Sequence, residues 1–374
     1  MVKIGILSMH RVVNNGSYLQ AYGLKSSLEL LGAKDISFVD FHNTITEEKD
    51  RNKDLVRMFK HLKHMIQPKY WSYEKTLTLG NKFRKKMVDE FQPILFSAES
   101  NYPENMEEYD LLIFGSDEIF NICQFSDRGK QIPWELMGED VKGKRLVSYA
   151  AAFGQTDLDA INKVGEIEHC KRLLGRFSAL SARDENAMNL LEKLGNCAPR
   201  LHIDPVLLLQ EFPADEEYRR LPYRYLIVYA YSRRIDNPEE INAICEYAKQ
   251  NDLKIVCVNC FQTWCDVSIV ASPFALLQYI GDSECVVTDT FHGTVFSIRN
   301  NKRFATIVRD SNRNKLRSLL KQFNIEDREV SDISKLGAIL ESPIDYDMVN
   351  TQLKKERKKA MDYLAEQIKM AETR

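Results

Sequence analysis

The sequence lacks any apolar run that approaches the roughly 20 residues needed to cross a bilayer, so a membrane-spanning protein is not expected. It also lacks a strong charge of either sign. The formal net charge of −2 at pH 7 gives no global reason to expect nucleic-acid binding. The apolar stretch at residues 1–7 is too short for a signal peptide. We therefore expect a cytoplasmic protein, either free or at the inner face of the membrane.

Cysteine is absent from the first 120 residues, and the eight cysteines that follow are scattered along the chain. Cys257 and Cys260 form a CxxC with Cys265 close behind, but no second CxxC or neighbouring histidine completes a set of zinc ligands. His61 and His64 share a helix face without a carboxylate or cysteine beside them, which favours solvent exposure. We expect reduced, buried thiols, no metal site and no cofactor.

Apolar strands alternate with helices along most of the chain, a pattern typical of parallel α/β sheets. The first unit is a strand at 2–7, a helix at 16–31 and a strand at 36–40. Residues 43–100 break the alternation and are expected to form a helical insertion. Later strands are predicted at 111–114, 146–150, 177–180 and 205–208, with a helix at 185–194.

A second series of strands and helices begins after residues 210–224, whose prolines and acidic side chains are typical of a linker. Its predicted strands are 225–229, 254–258, 285–287 and 304–308, and its predicted helices are 238–250, 272–280 and 294–300. One long charged helix at 348–371 follows. Since 374 residues are too many for one ordinary core, we expect two α/β domains that face each other across a cleft.

The most informative segment runs from Thr288 to Thr294 and places His292 on the predicted turn between a strand and a helix. Open α/β sheets bind ligands at the carboxyl ends of their strands, where this turn lies. The unpaired N–H groups and partial positive charge of the following helix suit an anion. We therefore expect Thr290, His292, Gly293 and Thr294 to bind a phosphate or carboxylate, although a lone histidine at a turn is often only a surface or capping residue.

Polar turns also follow other predicted strands, and their candidate binding residues are Asn15 and Ser17, Ser116 and Asp117, Arg183, and Arg233 and Arg234. Gly16 is expected to permit a tight turn, but the segment lacks GxGxxG, so dinucleotide binding is not expected. Helix capping explains Ser116 and Asp117 equally well, and adjacent arginines on a loop are often merely solvated. An arginine at the end of a strand, such as Arg183, is costly unless it meets an anion or an acid.

Six segments, taken as an ordered set, resemble the polysaccharide pyruvyl transferase family. They are NNGSYLQAYGLKSSLELLG (14–32), YDLLIFGSDEIFN (109–121), SYAAAFG (148–154), LSARDENAMNLLEKLG (180–195), HIDPVLLL (202–209) and VVTDTFHGTVFSIRNNKRF (286–304). The resemblance covers most of residues 1–310. It implies an α/β, GT-B-like fold with two Rossmann-type domains whose parallel sheets face each other across a cleft. With it we expect an acceptor-side domain at 1–215, a donor-side domain at 216–345, and a C-terminal helix at 346–374 that packs back on the first domain.

The resemblance also implies an activity. Phosphoenolpyruvate would give its pyruvyl group to two hydroxyls of a sugar or oligosaccharide in a polysaccharide or its precursor, forming a ketal and releasing phosphate. His292 matches the histidine of the family's last HG motif, and Arg183 matches the arginine of its SxRD motif. His292 would transfer protons or stabilise the departing phosphate, and the sequence does not separate these two roles.

Two departures from the family pattern qualify this assignment. Many members have an arginine at the position of Thr290, so one anion contact is unassigned, with Arg233, Arg234 and Arg309 as candidates. Glu118 stands where an amide is expected, which would change how the acceptor is recognised.

Two alternative functions remain open from the sequence. A GT-B glycosyltransferase would also place the diphosphate of a nucleotide sugar at a helix start. A non-catalytic anion-binding or scaffold module in polysaccharide assembly is disfavoured by His292 and Arg183 and favoured by Thr290. The sequence leaves the acceptor sugar, its linkage to a lipid and the oligomeric state open. Acidic neighbours dilute the basic face of the last helix, so we expect at most peripheral membrane contact.

Overall fold

The computed structural model describes residues 2–42, 68–97, 101–103, 108–126, 131–232 and 234–373. Part of the predicted insertion, including His61 and His64, lies outside the described residues, as does Arg233. Within the described part of that insertion, residues 68–95 are helical.

A four-stranded parallel sheet forms in the first half of the chain. Its strands are β1 (Lys3–Leu7), β2 (Asp35–Val39), β3 (Leu111–Phe114) and β4 (Leu146–Ser148), paired in the order β2-β1-β3-β4. Two short strands, β5 (Ser181–Ala182) and β6 (Arg200–Leu201), pair with each other, and an isolated bridge joins Ala182 to Ala151 just after β4. All four residues of β3 are buried, because helices cover both faces of the sheet.

Seven helices lie in the described part of this half. They are α1 (Asn15–Leu30), α2 (Pro68–Lys86), α3 (Gln92–Leu95), α4 (Cys123–Ser126), α5 (Leu158–Lys163), α6 (Ile167–Leu174) and α7 (Glu185–Leu194), with a π-helical turn at Met87–Phe91 and 3₁₀ turns at Trp134–Met137 and Pro205–Leu207. The turn Pro205–Leu207 packs closely on α1, where a Cβ on Gly23 would lie 2.5 Å from the Pro205 carbonyl oxygen.

A five-stranded parallel sheet forms in the second half. Its strands are β7 (Tyr225–Tyr229), β8 (Lys254–Val258), β9 (Val267–Ile269), β10 (Cys285–Thr288) and β11 (Arg303–Thr306), in the order β11-β10-β7-β8-β9. Its helices are α8 (Pro238–Gln250), α9 (Pro273–Asp282), α10 (Phe291–Arg299), α11 (Arg313–Gln322) and α12 (Leu336–Glu341), with 3₁₀ turns at Asp310–Asn312, Glu326–Arg328 and Ile333–Lys335. Val228 and Val287 lie at the centre of this half and are fully buried.

The last helix, α13 (Tyr346–Glu372), lies against the first sheet. The Tyr363 hydroxyl donates to the carbonyl of Ser148, and Arg145 donates to the Gln367 amide oxygen at 2.7 Å. The sequence pattern of this helix predicts Met348 on its apolar face and Arg357 in water, and both predictions are wrong. Met348 is exposed, and Arg357 donates to the carbonyls of Leu207 and Leu209. Among the described residues, no helix is both long and apolar enough to cross a membrane.

Three predicted elements differ from those observed in type or by three residues or more at one end. Residues 205–208 form a 3₁₀ turn rather than a strand, because Pro205 fixes a turn conformation and the Asp204 carboxylate accepts from the Val206 N–H. The strand predicted at 177–180 lies later, at β5, and the predicted segment makes one isolated bridge, between Ala179 and Val147 of β4. Helix α10 begins at Phe291 rather than Thr294, because Thr290 caps it.

Candidate active site

A cavity of about 650 Å³ lies between the two halves, at the carboxyl ends of both sheets. The first half contributes segments that follow β1, β3, β4 and β5, and the second half contributes segments that follow β7, β10 and β11. The polar and charged side chains around it include Asn14, Ser17, Asp117, Glu118, Asn121, Gln155, Arg183, Arg234, Thr290, His292, Asn312 and Lys315. This is the position at which ligands bind in open α/β folds.

His292 lies in the first turn of α10, so the prediction that it sits on the preceding turn was wrong. The Thr290 hydroxyl accepts from the Gly293 N–H at 2.9 Å, and this cap extends the helix back to Phe291. The imidazole is mostly buried, with its side chain 11% exposed at the cavity wall. The helix start therefore holds His292 beside backbone N–H groups that favour an anion.

Gly16 is needed for the approach of His292 rather than for a tight turn, which corrects the expectation from the sequence. It lies inside α1, one residue after the helix start, and its φ angle is not positive. A Cβ on Gly16 would lie 2.1 Å from Nδ1 of His292, a distance that real atoms do not reach. Because only glycine leaves this space, the first turns of α1 and α10 can meet at the imidazole.

Arg183, Asp204 and His292 form a buried cluster, which we call the floor of the cavity. Nη1 of Arg183 lies 3.0 Å from Oδ2 of Asp204, and Nε2 of His292 lies 3.7 Å from the same oxygen. The other carboxylate oxygen accepts from the Val206 N–H, and the Ser116 hydroxyl donates to Oδ2 at 3.3 Å. Burial alone would raise the pKa of Asp204, but His292 and Arg183 lower it to about 2.

Arg183 pairs with an acid, Asp204. An arginine at the end of a strand was expected to meet either an acid or an anionic ligand. The side chain of Arg183 is 2% exposed, and its guanidinium lies 4.2 Å from the ring centroid of Phe291. Burial lowers the pKa of Arg183, but Asp204 and nearby acids outweigh this effect and raise it. Within the described residues Nη1 bonds to Asp204 and Ser116, Nε is buried without a partner, and Nη2 makes no hydrogen bond. Nη2 is therefore the nitrogen left for a ligand.

Glu118, Arg234 and Lys315 form a second, more exposed group, which we call the rim. Lys315 of the second half lies 2.5 Å from Glu118 of the first half, and Arg234 lies 3.0 Å from the buried carboxylate of Asp289. Burial raises the pKa of Glu118, but Lys315 and other neighbours outweigh it and lower the pKa to about 2. Lys315 thus joins the two halves across the cavity.

The unassigned anion contact has three candidates from the sequence. Arg234 lines the cavity, whereas Arg309 does not. Arg309 makes a bidentate pair with Glu240, at 2.6 and 2.7 Å, and also donates to the Arg234 carbonyl, so it supports Arg234 from behind. Arg233 is outside the described residues. Lys315, absent from the three candidates, also lines the cavity.

Several predicted site residues do not line the cavity but pack behind the residues that do. Asn15 is buried and hydrogen-bonds to the side chains of Tyr229 and Asn259, at 3.3 and 3.0 Å, which connects the two halves. Thr294 is buried, with its hydroxyl 2.9 Å from that of Thr306. Neither residue lines the cavity. Gly293 does not line it either, and a Cβ there would lie 2.1 Å from the Thr288 hydroxyl, so glycine is needed at this position for packing.

Ser17 and Asp117 do line the cavity, and the Ser17 hydroxyl donates to the Asp117 carboxylate at 2.7 Å. Asp117 has a φ of 93°, a conformation that is costly for a residue with a side chain. The capping interpretation of this turn was wrong, because the Asp117 side chain accepts from the adjacent Glu118 N–H and α4 begins only at Cys123. Ser116 is buried in the floor rather than exposed to the cavity.

The sequence did not identify Asp204 or the pairing of Lys315 with Glu118 as parts of the site. For Asp204 the local signal concerns only the backbone, because an Asp-Pro step favours a turn rather than a strand. For the rim pair, 197 residues separate the partners, and only the tertiary fold shows them together.

The cysteines give no sign of a ligand set. All eight are free thiols, and the Cys257 side chain lies 3.3 Å from the Ser268 hydroxyl. In the part of the chain that the structure describes, no group of three or more His, Cys, Asp or Glu side chains is arranged to hold a metal ion.

Comparison with known proteins is consistent with this architecture. The family model described as polysaccharide pyruvyl transferase matches residues 14–311. No curated protein matches the chain. The crystal structure of UGT89C1 from Arabidopsis thaliana shares the fold, with a TM-score of 0.51 and 8% identity over 98% of this chain and 99% of that one. The predicted α/β, GT-B-like fold is confirmed.

Two further structures are less similar. MnaA from S. aureus, solved with UDP, has a TM-score of 0.44 and 11% identity over 92% of each chain. The UDP-GlcNAc 2-epimerase from Neisseria meningitidis, bound to UDP-GlcNAc, has a TM-score of 0.41 and 11% identity over 96% of this chain and 94% of that one.

Proposed function

Because the chain belongs to the polysaccharide pyruvyl transferase family, we propose that it moves the pyruvyl group of phosphoenolpyruvate onto two hydroxyls of a sugar, in a polysaccharide or its precursor. The observation that carries this proposal is the convergence of His292 and Arg183 on one cavity between two α/β halves. These are the two residues that match the family's motifs, and 109 positions separate them in the sequence. We propose this cavity as the active site.

The donor is an anion with a carboxylate and a phosphate, and the cavity offers groups suited to both. We place the donor against the first turn of α10, where Thr290 and His292 line the wall. The backbone N–H groups at this helix start favour an anion. Nη2 of Arg183 reaches the donor from the first half, and Arg234 is proposed to replace the arginine that many members have at the position of Thr290. Lys315 supplies a further positive charge.

The proposed reaction balances with the donor and the acceptor alone. A proton added to C3 of phosphoenolpyruvate makes C2 electrophilic, and one sugar hydroxyl forms a C–O bond there as it loses its proton. The C2–O bond to phosphate then breaks, and a second hydroxyl attacks C2 and closes the ketal. Of the two hydroxyl protons, one balances the proton taken by C3 and the other leaves with phosphate. We assign His292 to the phosphate step, because it lies at the helix start where that anion would bind.

The acceptor is proposed to bind the wall formed by the first half. Asp117, Glu118, Asn121 and Gln155 line it, and carboxylates and amides are suited to hydrogen bonds with sugar hydroxyls. Asp117 also accepts from Ser17, which fixes its orientation. We propose Asp117 as the group that removes the proton from the attacking hydroxyl.

A phosphate-release assay tests this proposal. The protein is incubated with phosphoenolpyruvate and a panel of sugar acceptors, and the products are analysed by mass. We expect phosphate release that depends on the acceptor, and a product that carries one pyruvyl group in place of two hydroxyl protons. The matched controls are His292→Gln, expected to lose most but not all of its activity, and Lys321→Met, which changes an exposed lysine on α11 away from the cavity and should keep full activity.

The same panel separates the alternatives. Release of nucleotide from a nucleotide sugar, with no phosphate release from phosphoenolpyruvate, would support a GT-B glycosyltransferase. Binding of phosphoenolpyruvate without turnover on any acceptor would support a non-catalytic anion-binding or scaffold module. Both results would contradict the proposed activity.

A further inference from the structure

We propose that Asp204 is the positioning residue of the site, and that its single carboxylate holds both Arg183 and His292 in their working orientations. This inference rests on the proposed function. It is carried by the geometry of the floor, where one fully buried carboxylate oxygen faces a cationic side chain on one side and an imidazole on the other.

The carboxylate itself is rigidly oriented. Asp204 caps the turn Pro205–Leu207, so its Oδ1 accepts from the Val206 N–H at 3.0 Å. Its Oδ2 therefore faces Arg183 and His292. That turn is packed on α1, which carries Gly16, and also contacts α10, which carries His292. Asp204 is therefore fixed relative to both helices that meet at the imidazole.

The contacts of Asp204 occupy some nitrogens of Arg183 and His292 and leave another free for a ligand. Arg183 uses Nη1 for Oδ2 and for the Ser116 hydroxyl, which leaves Nη2 for the donor. His292 turns Nε2 toward Oδ2, and that nitrogen is buried and has no hydrogen-bond partner among the described residues. A buried nitrogen without a partner is costly, and a small movement that closes the 3.7 Å gap would satisfy it.

A purely structural role for Asp204 makes different predictions. If the carboxylate only balances the buried charge of Arg183, its removal should lower the amount and stability of folded protein and leave the kinetics of the folded fraction unchanged. If Asp204 acts through Arg183 and His292, its removal should have two effects. The KM for phosphoenolpyruvate should rise because Arg183 is misplaced, and kcat should fall because His292 is misplaced.

A double-mutant cycle tests the inference on the full-length protein. The variants are Asp204→Asn, His292→Gln and the double variant, with kcat, the KM for phosphoenolpyruvate and the Tm measured for each. We expect Asp204→Asn alone to lower kcat by about a hundredfold, as misplacement of a reacting group does. In the His292→Gln background the same change should lower residual kcat by no more than about twofold, because its partner is already absent.

Asp204→Glu keeps the test valid if Asp204→Asn does not fold. It retains the charge opposite Arg183 but moves the carboxylate, so we expect a folded protein with low kcat. Wild-type kcat in either folded variant, or fully multiplicative effects in the double variant, would overturn the inference while leaving the proposed function intact. A wild-type protein that neither binds phosphoenolpyruvate nor releases phosphate would instead overturn the proposed function, and this inference with it.

Discussion

The floor and the rim of the cavity hold charges of the same kinds in different environments. In the floor, Arg183 and Asp204 are 2% and 0% exposed and their charges are already paired. In the rim, Lys315 and Glu118 are 18% and 21% exposed, and each belongs to a different half of the chain. Because two buried charges attract each other more strongly, and a buried charge left without its partner is costly, the floor is suited to a fixed geometry and the rim to exchange of partners with a substrate.

This difference assigns separate tasks to the two groups. The floor places His292 and one free nitrogen of Arg183 with little freedom to move, which favours orientation of the donor. At the rim, a phosphate could take over Lys315 from Glu118, since both side chains line the cavity and remain partly exposed. Changes in the floor should therefore affect folding and turnover most, and changes in the rim should affect binding most.

The largest effect is expected for Arg183→Ala. Removal of one partner of a buried ion pair costs about 3–5 kcal/mol, because Asp204 would remain as an uncompensated buried charge. We expect a large fall in the free energy of unfolding, measured by denaturant titration. In the protein that remains folded, affinity for phosphoenolpyruvate should fall more than affinity for the acceptor. Equal losses for both ligands would contradict the assignment of Arg183 to the donor.

Gly16→Ala should nearly abolish activity although it removes no functional group. The added methyl would overlap Nδ1 of His292 and displace the ring, and misplacement by about 1 Å can cost about a hundredfold in rate. Overpacking should also destabilise the fold by about 1–3 kcal/mol. The matched control is Gly80→Ala, also inside a helix but with open space around the new methyl, which should be neutral or stabilising. Equal activities of the two variants would refute the contact.

Lys315→Met should affect binding rather than turnover. Loss of one charge-assisted contact corresponds to a rise of about tenfold in the KM for phosphoenolpyruvate, with kcat close to wild type. The Tm should fall, because Glu118 loses the ion pair that stabilises its charge. Lys321→Met on the same helix, whose partner Glu185 is exposed, serves as the control. A fall in kcat without a change in KM would place Lys315 in the chemistry and remove the distinction between floor and rim.

The smallest effect concerns acid stability through Glu118. Its pKa is lowered to about 2 in the folded protein, mainly because Lys315 outweighs the effect of burial, against about 4.3 in an unfolded chain. A lowered pKa stabilises the fold above the unfolded value, and this stabilisation is lost as pH falls through the folded value. The Tm difference between wild type and Glu118→Gln should therefore be greatest above about pH 5 and vanish toward pH 2. Glu185→Gln is the exposed control, and a difference independent of pH would contradict the ion pair.

Much of the fold could be predicted from the sequence because its signals are local. The strands at 111–114, 225–229 and 254–258 and the helix at 238–250 have the predicted bounds, since buried strands read as apolar runs and Asn237 with Pro238 marks a helix start. The prediction of a strand at 205–208 was wrong because it gave more weight to the apolar residues than to the turn signal of Asp204 and Pro205.

The site was less predictable because its contacts are long-range. His292 and Arg183 could be named from motifs, but the acid between them could not, since it depends on where the turn at Pro205 lies in the fold. Gly16 could be singled out from the sequence, but the reason expected for it, a tight turn, was wrong. Its close neighbour is His292, far along the chain, and no local pattern shows that contact.

A crystal structure of the protein with phosphoenolpyruvate tests most directly whether the cavity between the two halves binds the donor. We predict that the ligand occupies the cavity between the two halves, with one anionic group at the first turn of α10 beside His292 and another within hydrogen-bond distance of Nη2 of Arg183. Phosphoenolpyruvate bound elsewhere, or a cavity without it at saturating concentration, would contradict the assignment of this cavity as the donor site.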